Sequence, residues 1–284
     1  MPNASEIVVA AKVQNVEFVR MFNEDFAALR QMLNACQPAK MAAGQTITMY
    51  DSTGTLQTAA INPCAEITVS NYATTGTPVT LGIGKFRKQT SLEDIMSMGY
   101  ELAAGNTDRA LISDIEKTIR NSFVNLLAMQ GTGTAAGADF QKACANAWGE
   151  LNVAVDGEGA TPVFFANPLD AAAYLGSAQV TMQTAFGLSY IENFLGLGTL
   201  IVDANVTQGN IIATSHENIL YAYVDAATAE GFDFYTDAEG IVGVTHDANV
   251  THAALETVAV FGMMLVPAVK SRVIIATIGS GASS

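Results

Sequence analysis

Residues 45–90 read QTITMYDSTGTLQTAAINPCAEITVSNYATTGTPVTLGIGKFRKQT. The stretch is rich in Thr and is punctuated by Gly54, Pro63, Gly76, Pro78, Gly82 and Gly84. Short alternating runs at Thr46–Tyr50, Glu66–Val69 and Pro78–Leu81 predict strands. They carry too few large apolar side chains to bury a core of their own, and an isolated two-stranded ribbon is marginal in water. An arm of this kind has to rest on something else, in the same chain or in a neighbour.

Upstream, Val16, Val19, Phe22, Phe26, Leu29 and Leu33 recur at three- and four-residue spacing and predict a helix from Asn15 that stops before Pro38 and Gly44. Residues 1–15 show no clear period and read as an adaptable tail. Downstream, Thr90 and Glu93 have capping-box spacing, and Asn106-Thr107-Asp108 reads as the opening of a longer helix. The stripe Leu111, Ile112, Ile115, Ile119, Phe123, Leu126 and Leu127 carries that helix to Met129 before Gly131, a rod of about 33 Å at about 1.5 Å per residue. A helix at 139–149, a buried strand at 163–166 and a short helix at Asp170–Leu175 follow. Strands are expected at Leu200–Val202, Asn210–Ala213, Ile219–Val224, Ile241–Thr245, Leu255–Val266 and Val273–Thr277. Helices and strands fall in blocks, which places the chain in the α+β class.

Of 284 residues half are hydrophobic, and 13 Lys+Arg stand against 27 Asp+Glu, a net charge of −14. A nucleic-acid binder neutralises phosphates with a basic face, and this chain has no basic residues to spare for one. A chain this long buries enough surface to fold without a metal or disulfide staple. Cys36, Cys64 and Cys144 are odd in number and irregularly spaced, and read as isolated reduced thiols. The N-terminus lacks the features of a signal peptide, and the longest apolar run, Val258–Val269, falls short of a membrane span. A soluble protein is expected.

The sequence offers little chemistry. Gly82-Ile83-Gly84-Lys85 lacks the first Gly and the Ser/Thr of a phosphate loop, because Val79 and Phe86 hold those positions. Gly196-Leu197-Gly198 precedes a strand and reads as a turn. His246 and His252, six apart, match no standard metal-ligand spacing. Ser215-His216-Glu217 are neighbours in sequence, which does not make a triad. Glu93 and Asp94 suit the first turn of a helix. Lys85, Arg87 and Lys88 form the one tight basic group, and are expected to pair with Glu93 and Asp94 or with acidic groups on another subunit.

Several segments, in order, carry a resemblance. They are Thr90–Tyr100 (TSLEDIMSMGY), Asn106–Ile115 (NTDRALISDI), Asn146–Gly149 (NAWG), Phe165–Asp170 (FANPLD), Gln183–Leu188 (QTAFGL), His216–Tyr223 (HENILYAY) and Gly240–Asp247 (GIVGVTHD). Together they resemble the major capsid proteins of tailed bacteriophages with the Hong Kong 97-type fold, over about residues 15–280. The resemblance implies an N-terminal arm (1–43) and an extended β-hairpin, the E-loop (44–90). It also implies a peripheral domain on a long spine helix (91–131, with return strands at 243–284) and an axial domain (132–242). It further implies hexamers and pentamers that tile an icosahedral shell around double-stranded DNA, in a virion assembled in the bacterial host cytoplasm. The implied partners are a portal, a separate scaffolding protein or none, and, in some members of the family, decoration proteins. No cofactor, metal or catalytic residue is expected, and Lys85, Arg87, Lys88, Glu93 and Asp94 are the expected assembly residues at the E-loop base. Some relatives weld subunits through an E-loop lysine. No lysine lies between Lys40 and Lys85 here, so a non-covalent grip is expected. The alternatives are an encapsulin-type compartment of the same fold and a small α/β enzyme using Ser215–Glu217.

Overall fold

The computed structural model describes residues 4–33, 39–57, 68–156, 160–176, 182–185, 188–229 and 231–279. The chain begins with helix α1 (Ala4–Leu33), a short strand β1 (Ala39–Met41) and the ribbon strands β2 (Thr46–Gly54) and β3 (Tyr72–Thr80). Strand β4 (Gly84–Ser91), helices α2 (Leu92–Met98) and α3 (Tyr100–Gln130), strand β5 (Gly133–Gly137) and helix α4 (Phe140–Ala154) follow. Then come β6 (Pro162–Ala166), α5 (Pro168–Leu175), β7 (Gln183–Ala185), β8 (Leu188–Phe194), β9 (Gly198–Val202) and β10 (Asn210–Ser215). The chain closes with β11 (Ile219–Val224), β12 (Val242–Asn249), β13 (Ala254–Pro267) and β14 (Val273–Ile278). No described helix is long and apolar enough to cross a membrane.

The fourteen residues of β13 organise one sheet. Its first half pairs antiparallel with both β12 and β4, and its second half with β11, on which β1 adds a parallel edge. A second sheet has the order β5-β14-β10-β6-β9-β8-β7. Both of its faces are covered. Phe164, Ile211, Leu200 and Ile274 pack against Cys144, Ala147 and Leu151 of α4, while Val163, Phe165, Ile201 and Ile212 join the core under α3 and α1. That explains why Val163–Ala166 is an uninterrupted apolar run instead of an alternating one.

Helix α1 belongs to this core, and this corrects the expectation of a tail up to residue 15. Residues 4–14 have no apolar period for the sequence to show, yet they continue the helix, and Gln14 and Asn15 are buried. The buried face is Phe18, Val19, Phe22, Phe26, Leu29 and Leu33, with Phe26 tilted on Tyr221, whereas Val16 is 45% exposed.

Helix α3 starts at Tyr100, not at Asn106-Thr107-Asp108. Those residues look like a cap, but Thr107 Oγ1 donates to Ala103 O or Ala104 O within the helix, and Asp108 faces inward. At 31 residues the helix is about 46 Å long. Helix α4 runs past Gly149 to Ala154 because Leu151 extends its buried stripe. Strand β5 replaces the expected plain helix stop after Gly131. It pairs parallel with β14, and its glycines allow the close approach: a Cβ on Gly137 would lie 2.2 Å from the Ala143 nitrogen.

The stretch read as one arm divides in two. Strands β2 and β3 form a ladder from Thr46↔Thr80 to Gly54↔Tyr72, whereas β4 is built into the β13 sheet. The ribbon rests on its own chain at its base, where Met49 and Leu81 are buried and Tyr50 N–H donates to Ala268 O at 2.9 Å. Farther along, Leu56, Val69 and Tyr72 are exposed. The expected strand Glu66–Val69 and Pro63 lie mostly outside the described residues, and residues 68–70 are not in a strand.

Candidate assembly interface

Alternation along β4 separates the three clustered cations. Side chains of a strand point to opposite faces with a period of two, so Phe86, Lys88 and Thr90 turn inward while Lys85, Arg87 and Gln89 turn outward. Lys88 enters a buried polar cluster. Its Nζ is 2.7 Å from Asp108 Oδ1 and donates to Thr107 Oγ1. Asp108 also accepts from Gln14 Nε2 at 2.6 Å and lies 3.1 Å from His246 Nε2, while His246 Nδ1 is 2.5 Å from Asn15 Oδ1. Thus α1, α3, β4 and β12 meet on one carboxylate. Burial pushes the Asp108 pKa up, but the His246 hydrogen bond and the His246 and Lys88 charges outweigh it and hold the pKa below the ordinary value. Burial draws the Lys88 pKa down against the opposing pull of Asp108.

Arg87 pairs outside with Glu256 of β13. Glu256 also accepts from Gln89 Nε2 at 2.7 Å and from Asn249 Nδ2 at 2.5 Å, and these three donors bring its pKa down to about 2. Lys85 is exposed and has no ion-pair partner among the described residues. Pairing of the cations with Glu93 and Asp94 is therefore not what this chain makes internally. Asp94 is used at the start of α2, where Ser91 is the N-cap: Ser91 Oγ accepts from Asp94 N–H at 3.1 Å and donates to Asp94 Oδ2 at 2.7 Å. The cap sits one residue later than Thr90 and Glu93 suggested, because Thr90 is buried in β4 against Thr107 Oγ1 at 2.9 Å. Glu93 is exposed on α2.

The other singled-out residues are structural or exposed. The His216 Nδ1–H donates to the Leu33 carbonyl, so the ring ties the end of α1 to β10 and is not directed at Ser215, whose buried Oγ has no hydrogen-bond partner among the described residues. His252 is exposed. Among the described residues no group of three His, Cys, Asp or Glu side chains is arranged to hold a metal. Cys144 is buried on α4, and burial pushes its thiol up to about 12; Cys36 and Cys64 lie outside the described residues.

The buried cluster was not anticipated, although its trace is readable. Asp108 precedes Leu111 and Ile112 by three and four residues, and Asn15 precedes Phe18 and Val19 in the same way. Each is therefore a polar residue on an apolar stripe. On β12, His246 continues the buried alternation of Val242 and Val244.

No protein-family model matches the sequence, and no curated protein matches it either. Solved structures do. The capsid of the native GTA particle matches with a TM-score of 0.58 at 12% identity, over 89% of this chain and 90% of that one. The SrpI encapsulin from Synechococcus elongatus PCC 7942 matches with a TM-score of 0.54 at 14% identity, over 87% of this chain and 86% of that one. The capsid of cyanophage A-1(L) matches with a TM-score of 0.54 at 9% identity, over 89% and 93%. With its long α3, its two sheets and its ribbon, the chain has the α+β Hong Kong 97-type capsid fold.

Proposed function

We propose that this chain is the major capsid protein of a tailed bacteriophage. It assembles without catalysis into the hexamers and pentamers of an icosahedral shell that encloses double-stranded DNA. The observation that carries this reading is the β2–β3 ribbon on a fold of this type, with Leu56, Val69 and Tyr72 left uncovered. Apolar side chains on a marginal ribbon gain stability when another surface covers them. Within residues 44–90 the exposed end of the β2–β3 ribbon then acts as the E-loop over a neighbouring subunit, and β4, with Lys85, Arg87 and Lys88, is its base in the β13 sheet. Residues 1–43 are the N-terminal segment, whose helix α1 packs into the core instead of reaching out as an arm, 91–131 with 243–284 form the peripheral domain, and 132–242 the axial domain. The net charge of −14 suits a wall that confines DNA without gripping it. The portal is its partner in the virion, a separate scaffolding protein, where one is used, acts during assembly in the host cytoplasm, and decoration proteins, where present, bind the finished shell.

An encapsulin-type compartment is the second reading, favoured by the likeness to the SrpI encapsulin. Purified particles distinguish the two. Electron microscopy of closed shells with nuclease-protected double-stranded DNA inside supports the capsid. Shells filled with a single protein cargo support the compartment. A chain that stays monomeric across concentration and salt overturns both.

A further inference from the structure

The outer face of the β4–β13–β12 sheet carries an open apolar groove of about 500 Å³. Ile83, Val258, Val260, Phe232 and Phe234 line it, and Lys85 stands at its edge. Phe232 and Phe234 stack at 5.5 Å, with Phe232 69% exposed and Ile83 44% exposed. Gly243 makes room for the Phe234 side: a Cβ there would lie 3.1 Å from Phe234 Cβ. Lys85 is the one cation of β4 that finds no ion-pair partner among the described residues.

Helix α2 has the complementary character. None of its residues is buried. Leu92 and Met96, one turn apart, are 44% and 76% exposed. Glu93 shares their face at three-residue spacing from Met96 and has no ion-pair partner among the described residues. An exposed apolar helix face with one unpaired acid therefore matches an exposed apolar groove with one unpaired base. The two lie at opposite ends of β4, about 20 Å apart at about 3.3 Å per residue, too far to satisfy each other within one chain.

We infer that the groove receives helix α2 of a second copy, with Leu92 and Met96 on Phe232 and Ile83 and with Glu93 on Lys85. Because the two patches are different surfaces, one groove–helix contact leaves a free groove and a free helix for further copies, and such head-to-tail contacts build a ring where their rotation closes. The inference rests on the shell reading and adds to it the pair of surfaces that sets one subunit contact.

Two measurements test it. Lys85→Glu and Glu93→Lys each raise the protein concentration needed for assembly by at least about threefold, and the double variant returns it toward wild type. Both side chains are exposed, so thermal unfolding midpoints of the separated subunits shift by no more than about 4 °C, the dipole contribution of Glu93 included. Separately, subunits carrying Ile83→Cys are co-assembled with subunits carrying Met96→Cys and oxidised. A disulfide-linked dimer that forms only in the mixture, and in neither variant alone, supports the contact. If shells form but that dimer is absent, or if Ile83→Cys instead links to Leu56→Cys of the ribbon, the α2 docking is wrong and the shell reading stands. If the wild-type chain forms no particles at all, the shell reading fails and takes this contact with it.

Discussion

Lys88 Nζ stands 2.7 Å from Asp108 Oδ1, and the Asp108 side chain has no exposure to solvent. One residue earlier on the same strand, Arg87 pairs with Glu256 while remaining 56% exposed. Two basic neighbours thus sit in opposite dielectric settings. Removing one member of a buried pair leaves an uncompensated charge, whereas an exposed pair is screened by water and contributes little. Lys88→Met is expected to lower stability by about 3–5 kcal/mol and Arg87→Met by about 0–1 kcal/mol, read from urea unfolding of the subunit. Equal losses would show that β4 does not alternate as described. The pH dependence has a definite sign. The Asp108 pKa is held below its ordinary 3.8, so its contribution is complete above that value and is lost as pH falls through the lower folded one.

Glu116 of α3 behaves in the opposite way. It lines a cavity of about 220 Å³ with Met21, Glu24, Asp25, Arg109, Ile112 and Ser113. Burial, then the charge and hydrogen bond of Asp25, raise its pKa to about 7, against the pull of Arg120. Because the folded pKa is raised, the protonated pair contributes stability that is complete below 4.5 and is lost as pH climbs through about 7. Glu116→Gln keeps a donor toward Asp25 without a titrating proton. Over this pH interval the variant's unfolding free energy should vary by about 1–2 kcal/mol less than that of wild type, a figure discounted for solvent reaching the cavity.

Helix α1 gives a sharper test of what the sequence could reveal. A loosely attached arm would tolerate loss of an aromatic ring, but Phe22 is fully buried and stacks with Phe26 at 6.2 Å. Phe22→Ala is expected to cost about 3–5 kcal/mol in chemical denaturation. A loss under about 1 kcal/mol would return α1 to the status of an arm.

Gly137 makes a backbone prediction. The nitrogen of Ala143 would lie 2.2 Å from an added Cβ, and that atom belongs to α4, not to a flexible side chain. Gly137→Ala must push α4 off the β5–β14 edge, and a loss of about 1–3 kcal/mol is expected. Gly149→Ala, in the interior of α4 with nothing within 4 Å, should move thermal unfolding the other way, by up to about 1 kcal/mol.

These cases mark what the sequence shows and what it hides. Apolar periodicity is local and readable: the buried strand at Val163–Ala166 and the alternation in β13 appear as the pattern implies, and so does the stripe from Leu111 to Leu127 except that Val124 is buried and Leu126 only half-buried. Limits of elements depend on tertiary partners. Asn106-Thr107-Asp108 looks like a helix start only if Lys88 and His246 are unseen, and Gly133–Gly137 looks like a stop only without β14 beside it. The basic trio looked like one patch because side-chain direction depends on strand register. Lys85 and Glu93 are both exposed and have no ion-pair partner among the described residues, so nothing within one subunit tests their expected role in assembly.

The ribbon supplies the last prediction. Gly54 and Tyr72 face each other at the end of the β2–β3 ladder, so residues 55–71 can be replaced by Asn-Gly, a two-residue turn that suits the twist of a hairpin. The shortened chain keeps the buried anchors Met49 and Leu81 and the Tyr50–Ala268 hydrogen bond. It removes Leu56 and Val69, which are 80% and 73% exposed and contribute little to the fold of one subunit. Subunit stability should therefore change by less than about 1 kcal/mol, because surface changes away from packed features are small. Assembly should fail, because the apolar ribbon end that needs a neighbour is gone. Sedimentation and electron microscopy of the shortened chain should show folded subunits without closed shells. Normal shells from that chain would mean that the ribbon does not hold one subunit to the next.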